Sequence, residues 1–245
     1  MSENAKINLE DFFRYFDESV TTHKEGVALL AEAMPARLLV DSAPWVKAYR
    51  GQLPHQQQEE EKGEALVANP LSVPYDCQLD NPSGEGWREC FSSSCAMAAM
   101  YWGVIDNPNQ YHAIRPKYGD STDPSAQIRT LQSLGLDARF VQVGSVEKLK
   151  AQIDRGRPAP VGYLHKGTVN SPSGGGHYCL AIGYDDTGFW MHDPFGSCDL
   201  INGGFSAEGG TAGKMVHYSY KNWAPRWSVA NDSDGWGVDV WLPGK

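Results

Sequence analysis

The spacing of apolar residues predicts short amphipathic helices at the start of the chain. "LEDFFRYF" repeats apolar residues at helical spacing directly after Asn8, a residue type that caps helices. Thr22 and Glu25 form a capping box ahead of "HKEGVALLAEAM", and Ser42 can begin a third helix through "APWVKAYRG". We therefore expect residues 1–51 to form a small helical module.

A polar stretch follows this module. "QLPHQQQEEEKGEALVANP" contains almost no apolar residues before Ala65, and its Gln and Glu runs favour solvated chain over a packed element. We therefore expect residues 52–70 to form a linker.

The pattern changes at residue 71, and from there it predicts helices followed by an antiparallel sheet. One apolar helix is expected over residues 91–102, and amphipathic helices over "DPSAQIRTLQSLG" and "SVEKLKAQIDRG". Strands are expected at "ARFVQVG", "APVGYLH", "KMVHYSY" and "WGVDVWL". "HYCLAIGYDDTGFWMHDPFG" indicates two further strands joined by a tight turn at "DDTG". This order predicts an α+β domain over residues 71–245.

Charge and composition narrow the range of functions. The formal net charge is −9, whereas nucleic-acid binding needs clustered Lys and Arg, so no nucleic-acid partner is expected. The sequence has no run of about eighteen apolar residues, so no membrane insertion is expected. It shows no signal peptide, and its five scattered cysteines do not suggest a secreted disulfide framework. We expect synthesis in the cytoplasm without a signal peptide, and delivery on a virion or release to the cell wall if the protein acts outside the cell.

Cys90 stands at the predicted start of the apolar helix, in "RECFSSSCAMAAMYWG". The unpaired N–H groups and the dipole at a helix N-terminus stabilise a thiolate, which is the reactive form of cysteine. The helix is apolar on nearly every side, so we expect it to be buried, with its first turn reaching a cleft. By itself the pattern leaves two interpretations open, a nucleophile and a buried structural thiol.

The other parts of a nucleophilic site lie elsewhere in the sequence. His177 opens an apolar strand after three glycines, and the turn at "DDTG" returns the chain so that Asp193 comes back near it. Such an aspartate can accept a hydrogen bond from the imidazole and fix its tautomer. Gln78 lies shortly before Cys90, where its side-chain amide and the Cys90 N–H could bind an oxyanion. We therefore predict a cysteine peptidase that acts by acyl transfer without metal or cofactor, with these roles: nucleophile Cys90, base His177, orienting acid Asp193 and oxyanion donor Gln78.

Other interpretations stay open at this point. Zinc is one, because residues of ligand type lie in this region: Cys90, Cys95, His177, Cys179, His192, Asp193 and Cys198. No Cys-x-x-Cys pair or HExxH motif accompanies them, which disfavours a metal site. His192 is a second candidate for the base, although it should point to the opposite face of its strand. A non-enzymatic virion or wall-binding protein on a degenerate peptidase fold is a further alternative, and the intact set of four site residues argues against it.

Together these motifs resemble the papain-like bacteriocin-processing, or double-glycine leader, cysteine peptidases and their C39-like relatives. The resemblance covers about residues 73–196 and rests on the glutamine, the cysteine opening a small-residue helix, "GGGHY" and "GYDDTGFWMHDP". It implies a papain-like fold, in which a buried N-terminal helix carries the cysteine and an antiparallel sheet carries histidine and aspartate. It implies the same four roles for Gln78, Cys90, His177 and Asp193. Phe91 stands where these peptidases usually have glycine, and we expect no attached transporter segment.

The predicted substrate comes from a weaker resemblance. The N-terminal module and the Trp-rich tail are similar to those of phage lysins and virion-associated wall hydrolases. Aromatic rings can stack on sugars, although core or sheet packing is the simpler interpretation of the tail residues Trp223, Trp227, Trp236 and Trp241. We expect an amide bond in peptidoglycan to be the substrate, with a protein or leader peptide as the alternative.

Overall fold

A computed structural model describes residues 68–245 of the chain. These residues belong to one compact unit. The predicted helical module, and the predicted linker up to residue 67, lie outside the described residues. The predicted boundaries at residues 51 and 70 therefore stay predictions.

Five α-helices lie in the described part of the chain: α1 (Cys90–Tyr101), α2 (Pro108–Ile114), α3 (Pro124–Ser133), α4 (Val146–Asp154) and α5 (Tyr220–Trp227). Short 3₁₀ turns accompany them at Gln78–Asp80, Gly86–Arg88 and Arg115–Lys117. None of the helices in this part of the chain has the length and apolarity needed to span a membrane.

Eight strands are described: β1 (Asp137–Gly144), β2 (Ala159–Tyr163), β3 (His177–Tyr184), β4 (Gly188–His192), β5 (Gly196–Cys198), β6 (Phe205–Glu208), β7 (Val216–Ser219) and β8 (Gly235–Trp241). Six of them form one sheet in the order β1-β8-β2-β3-β4-β7, and β5 pairs with β6 in a second, small sheet. Every pair is antiparallel. The predicted α+β order is therefore confirmed.

Caps and glycines set the ends of the two amphipathic helices. The Asp123 carboxylate accepts a hydrogen bond from Ser125 N at the start of α3, and Ser145 Oγ accepts one from Lys148 N at the start of α4. Gly135 lies shortly after α3 with a φ of 86°, in the left-handed region that glycine adopts without strain. The predicted helices over these two segments are thus found.

Helix α1 forms the centre of the core. It packs on β3 and β2, and its residues from Phe91 to Ala99 are buried. Such burial follows from a segment that is apolar or small on every side. Only the ends of the helix reach the surface: Cys90 at its start is half-buried, as are Met100 and Tyr101 at its end.

The structure differs from the sequence-based prediction at two helices. Helix α2 was not expected, because "PNQYHAI" is short and buries only Tyr111. Helix α5 was not expected either, because it contains Pro225 and follows directly on β7. Trp223 and Trp227 of this helix are buried in the core. The predicted strand "KMVHYSY" is therefore shorter than expected and ends at Ser219, because the helix begins at the next residue.

Candidate active site

Cys90 is the first residue of α1, and its thiol is free. The next residue, Phe91, stacks on the ring of Tyr178, with ring centroids 3.7 Å apart and planes 4° from parallel. Since Tyr178 follows His177 in strand β3, this stack holds the start of α1 against the start of β3. Phe91 therefore has a packing role next to the candidate site.

His177 and Asp193 form a buried pair. The Nε2 atom of His177 lies 2.7 Å from the Oδ1 atom of Asp193, and 5% of His177 and none of Asp193 is exposed. The β3–β4 hairpin brings them together, because its register sets Leu180 opposite His192, the residue before Asp193. The carboxylate then reaches back along β3 to the imidazole.

Four hydrogen-bond donors surround the Asp193 carboxylate. Oδ1 accepts from His177 and from the Phe195 N–H at 3.1 Å, while Oδ2 accepts from the hydroxyls of Tyr163 at 2.7 Å and Tyr218 at 2.9 Å. A buried carboxylate needs such donors, because burial without them is strongly unfavourable. Both oxygens of this carboxylate accept hydrogen bonds, and these bonds fix its orientation.

The surroundings of His177 favour its protonated form. Burial lowers the pKa of the imidazole, but the charges of Asp193 and Cys90, together with hydrogen bonds to both side chains, raise it to about 10. Nε2 faces Asp193, so Nδ1 is the nitrogen left for the Cys90 sulfur. An imidazolium at that position stabilises a thiolate.

Gln78 lies buried in the segment before α1. Its Nε2 atom donates to the Gly86 carbonyl at 2.7 Å, and its backbone N–H donates to Pro194 O at 2.9 Å. Gly86 leaves no room for a side chain, since a Cβ there would lie 2.2 Å from the Gln78 carbonyl oxygen. The amide nitrogen of Gln78 carries a second hydrogen, which can serve an outside acceptor.

The model of the Peptidase_C39 like family matches residues 70–201, which is more than half of the 245-residue chain. The chain belongs to this family. The predictions of a C39-like family and of a cysteine peptidase are thereby confirmed. Membership also favours an enzyme over the non-enzymatic wall-binding alternative.

Solved structures similar to this C39-like peptidase share little sequence with it. A crystal structure assigned as a C39-like peptidase from Bacillus anthracis has 13% identity and a TM-score of 0.50, covering 75% of this chain and all of that one. A double-glycine-motif protease from an AMS/PCAT transporter, in complex with the leader peptide, has 14% identity and a TM-score of 0.46, covering 71% and 95%. The peptidase domain of Streptococcus ComA, a bifunctional ABC transporter of a quorum-sensing pathway, has 15% identity and a TM-score of 0.43, covering 64% and 93%. The Bacillus structure supports the papain-like fold. No curated protein matches the chain at a significant level.

Two further imidazoles lie near the pair. The His165 ring centroid is 5.7 Å from that of His177, and burial and the His177 charge lower its pKa to about 4. His192 uses Nε2 against Val73 O at 3.0 Å and accepts the Met215 N–H on Nδ1 at 3.1 Å. Both ring nitrogens of His192 are therefore engaged by backbone, whereas the Nε2 atom of His177 faces the Asp193 carboxylate.

The remaining cysteines are buried and free: Cys77, Cys95, Cys179 and Cys198. Cys95 is packed within α1, and Cys179 points into the core from β3. Within residues 68–245, no three His, Cys, Asp or Glu side chains form a group that could hold a metal ion.

Two of the four C-terminal tryptophans singled out above pack inside this family member, and the other two are half-buried. Trp223 and Trp227 are buried and stack with centroids 5.0 Å apart. Trp236 packs on Gly162, and two arginine guanidinium groups lie over the Trp241 ring. Packing is thus the role of Trp223 and Trp227.

Tyr163 and Tyr218 are site residues that the sequence analysis missed. Both are almost completely buried on sheet strands, in segments that were predicted only as apolar strands. A buried tyrosine hydroxyl generally needs a hydrogen-bond partner, and this was the one signal that could have singled them out.

Proposed function

We propose that this C39-like peptidase hydrolyses amide bonds with Cys90 as nucleophile, His177 as general base and acid, and Asp193 as the residue that orients the imidazole. The buried His177–Asp193 hydrogen bond of 2.7 Å carries the proposal, and the Cys90 side chain acts on the pKa of the same ring. Covalent catalysis by cysteine requires a base next to the nucleophile and a third group that orients the base.

The proposed reaction has two halves. The Cys90 proton moves to Nδ1 of His177, and the thiolate attacks the carbonyl carbon of the substrate. The tetrahedral intermediate collapses when Nδ1 returns that proton to the leaving amine, which leaves a thioester on Cys90. Nδ1 then takes a proton from water, the hydroxide attacks the thioester, and the acid product leaves as the thiol is restored. The Nε2–H group of His177 stays hydrogen-bonded to Asp193 throughout.

Gln78 is the proposed side-chain donor to the oxyanion, together with the Cys90 backbone N–H. Its amide is held by the Gly86 carbonyl, and its backbone is tied to Pro194, the residue after Asp193. These bonds keep the amide fixed before substrate arrives, as electrostatic stabilisation of an oxyanion requires.

For the substrate we propose a peptide bond of bacterial peptidoglycan, with a protein or leader peptide as the alternative. Exposed Trp87 supports a sugar-bearing substrate, because its 3₁₀ turn contacts Gln78 and 67% of the residue is accessible. An aromatic ring there can stack on a sugar next to the scissile bond.

Product analysis tests both the proposed mechanism and the proposed substrate. Purified peptidoglycan and a mixed peptide library are incubated with the protein, and newly freed amines and carboxylates are identified by mass spectrometry. The Cys90→Ala variant should release none, while Cys95→Ala, changed in the same helix, should keep its activity. Full activity in folded Cys90→Ala would exclude the mechanism, and cleavage of the peptide library alone would exclude peptidoglycan as the substrate.

A further inference from the structure

A second group of buried charges lies beside the start of α1, outside the proposed triad. His112 on helix α2 stands between two carboxylates, with Nε2 3.7 Å from Asp76 Oδ2 and Nδ1 3.6 Å from Glu89 Oε2. The three side chains are each 4–10% exposed. Arg115 donates to Glu89 Oε1 at 2.7 Å and to the Gly119 carbonyl at 2.9 Å.

The two carboxylates belong to the two segments that carry the proposed site. Asp76 comes two residues before Gln78, and Glu89 comes directly before Cys90. His112 therefore bridges the oxyanion segment and the first turn of α1. Its Nε2 also lies 3.5 Å from the hydroxyl of Ser93, in that same turn.

The bridge needs the charged form of the ring. An imidazolium has a hydrogen on each nitrogen, so it can face both carboxylates, whereas a neutral ring turns a lone pair toward one of them. Burial lowers the pKa of His112, but the carboxylates of Asp76 and Glu89 outweigh burial and raise it above its ordinary value. Among the described residues, the titratable groups around the ring are Asp76 before the first 3₁₀ turn, Glu89 at the start of α1, Arg115 at the end of α2, and the Tyr111 phenol on α2 itself.

We propose that His112 is a positioning residue: by pairing with Asp76 and Glu89 together, it holds the segment that carries Gln78 against the start of the helix that carries Cys90. The inference rests on the function proposed above for Cys90 and Gln78. Loss of the bridge should leave the Cys90–His177 pair in place and move the oxyanion donor away from the reacting carbon.

Two small probes separate these effects. Iodoacetamide reacts with a thiolate at a saturated carbon and expels iodide, so it needs no oxyanion site. p-Nitrophenyl acetate is attacked at its carbonyl carbon, forms an oxyanion and expels p-nitrophenolate. The ratio of the two second-order rate constants at Cys90 therefore reports oxyanion stabilisation, because the thiolate population cancels from it.

The ratio should fall at least about tenfold in His112→Gln, since removal of an oxyanion donor costs on the order of a hundredfold or more. His217→Gln is the matched control, because it loses a histidine–aspartate pair with Asp185, at the opposite end of β3 from His177. A ratio within twofold of wild type in folded His112→Gln would overturn the proposal. If wild type reacts with neither probe at Cys90, the proposed function fails instead.

The pH dependence of wild type provides a second measurement if His112→Gln does not fold. The ratio should be highest where His112 is protonated and should decline as the pH rises through its raised pKa. A change in the amount of reactive thiolate affects both probes equally and does not appear in the ratio. A ratio that stays flat between about pH 6 and pH 9, across the usual range of histidine pKa values, would overturn the proposal.

Discussion

The Nε2 atom of His177 lies 2.7 Å from the Oδ1 atom of Asp193, in a setting where neither side chain is open to solvent. This contact fixes which ring nitrogen is left for Cys90. It also supplies the negative charge that keeps the imidazole protonated against the effect of burial. Three changes should therefore have separate and measurable consequences: loss of the Asp193 charge, loss of a hydrogen-bond donor to its carboxylate, and loss of the Gln78 amide.

Asp193→Asn should lower kcat/KM by at least about tenfold, because base catalysis by a positioned side chain contributes on the order of a hundredfold or more. The neutral amide no longer raises the pKa of His177, so the alkaline limb of the pH–rate profile should move to lower pH. Steady-state kinetics from acid to alkaline pH checks both effects. An alkaline limb that does not move would contradict the role of the carboxylate.

Tyr163→Phe and Tyr218→Phe should each destabilise the fold by about 1–3 kcal/mol, because each removes a hydrogen bond to a buried carboxylate. Each should also lower kcat, since Asp193 Oδ2 loses one of its two phenol donors. Urea unfolding and steady-state kinetics measure the two effects. Tyr220→Phe is the control, because its hydroxyl donates to the Asp185 carbonyl away from the site, so only stability should change.

Gln78→Ala should lower kcat by about a hundredfold or more, as removal of an oxyanion donor does elsewhere. Alkylation of Cys90 by iodoacetamide should continue at nearly the wild-type rate, because that reaction forms no oxyanion. Gln132→Ala is the matched control, since its amide also donates to a backbone carbonyl, that of Ala138. Equal losses of kcat in the two variants would contradict the proposed role of Gln78.

The stability of the protein should fall as the pH rises from neutral to about 10. His177 has a raised pKa in the folded state, so its contribution is fully present below the ordinary histidine pKa of 6.5 and is lost as the pH approaches about 10. One unit of pKa shift corresponds to about 1.4 kcal/mol, so the loss should exceed about 1 kcal/mol. Urea unfolding at both ends of this range should show a smaller loss in His177→Gln. An equal loss in the variant would assign the effect to other groups.

Local patterns predicted much of the fold. The amphipathic spacing in "DPSAQIRTLQSLG" and "SVEKLKAQIDRG" and the "DDTG" turn are short-range signals, and the corresponding helices and hairpin are present. The hairpin explains why sequence alone could pair His177 with Asp193, since the two are joined by consecutive antiparallel strands. The helix that begins at Cys90 follows from its small, apolar residues.

Long-range pairings were beyond the sequence. Strand β8, at the end of the chain, inserts between β1 and β2, and no local periodicity encodes that order. Tyr163 and Tyr218 reach Asp193 from strands on either side of the β3–β4 hairpin, so their shared carboxylate appears only in three dimensions. The same holds for His112, whose partners Asp76 and Glu89 come from separate segments.

In the proposed reaction, the Cys90 sulfur attacks a carbonyl carbon with the help of His177. The most direct test is peptide mapping by mass spectrometry after brief exposure to p-nitrophenyl acetate and an acid quench. We expect an acetyl group on Cys90 in wild type and Cys95→Ala, and none on that residue in His177→Ala. Acetylation of a different side chain in wild type, with Cys90 unmodified, would contradict this reaction.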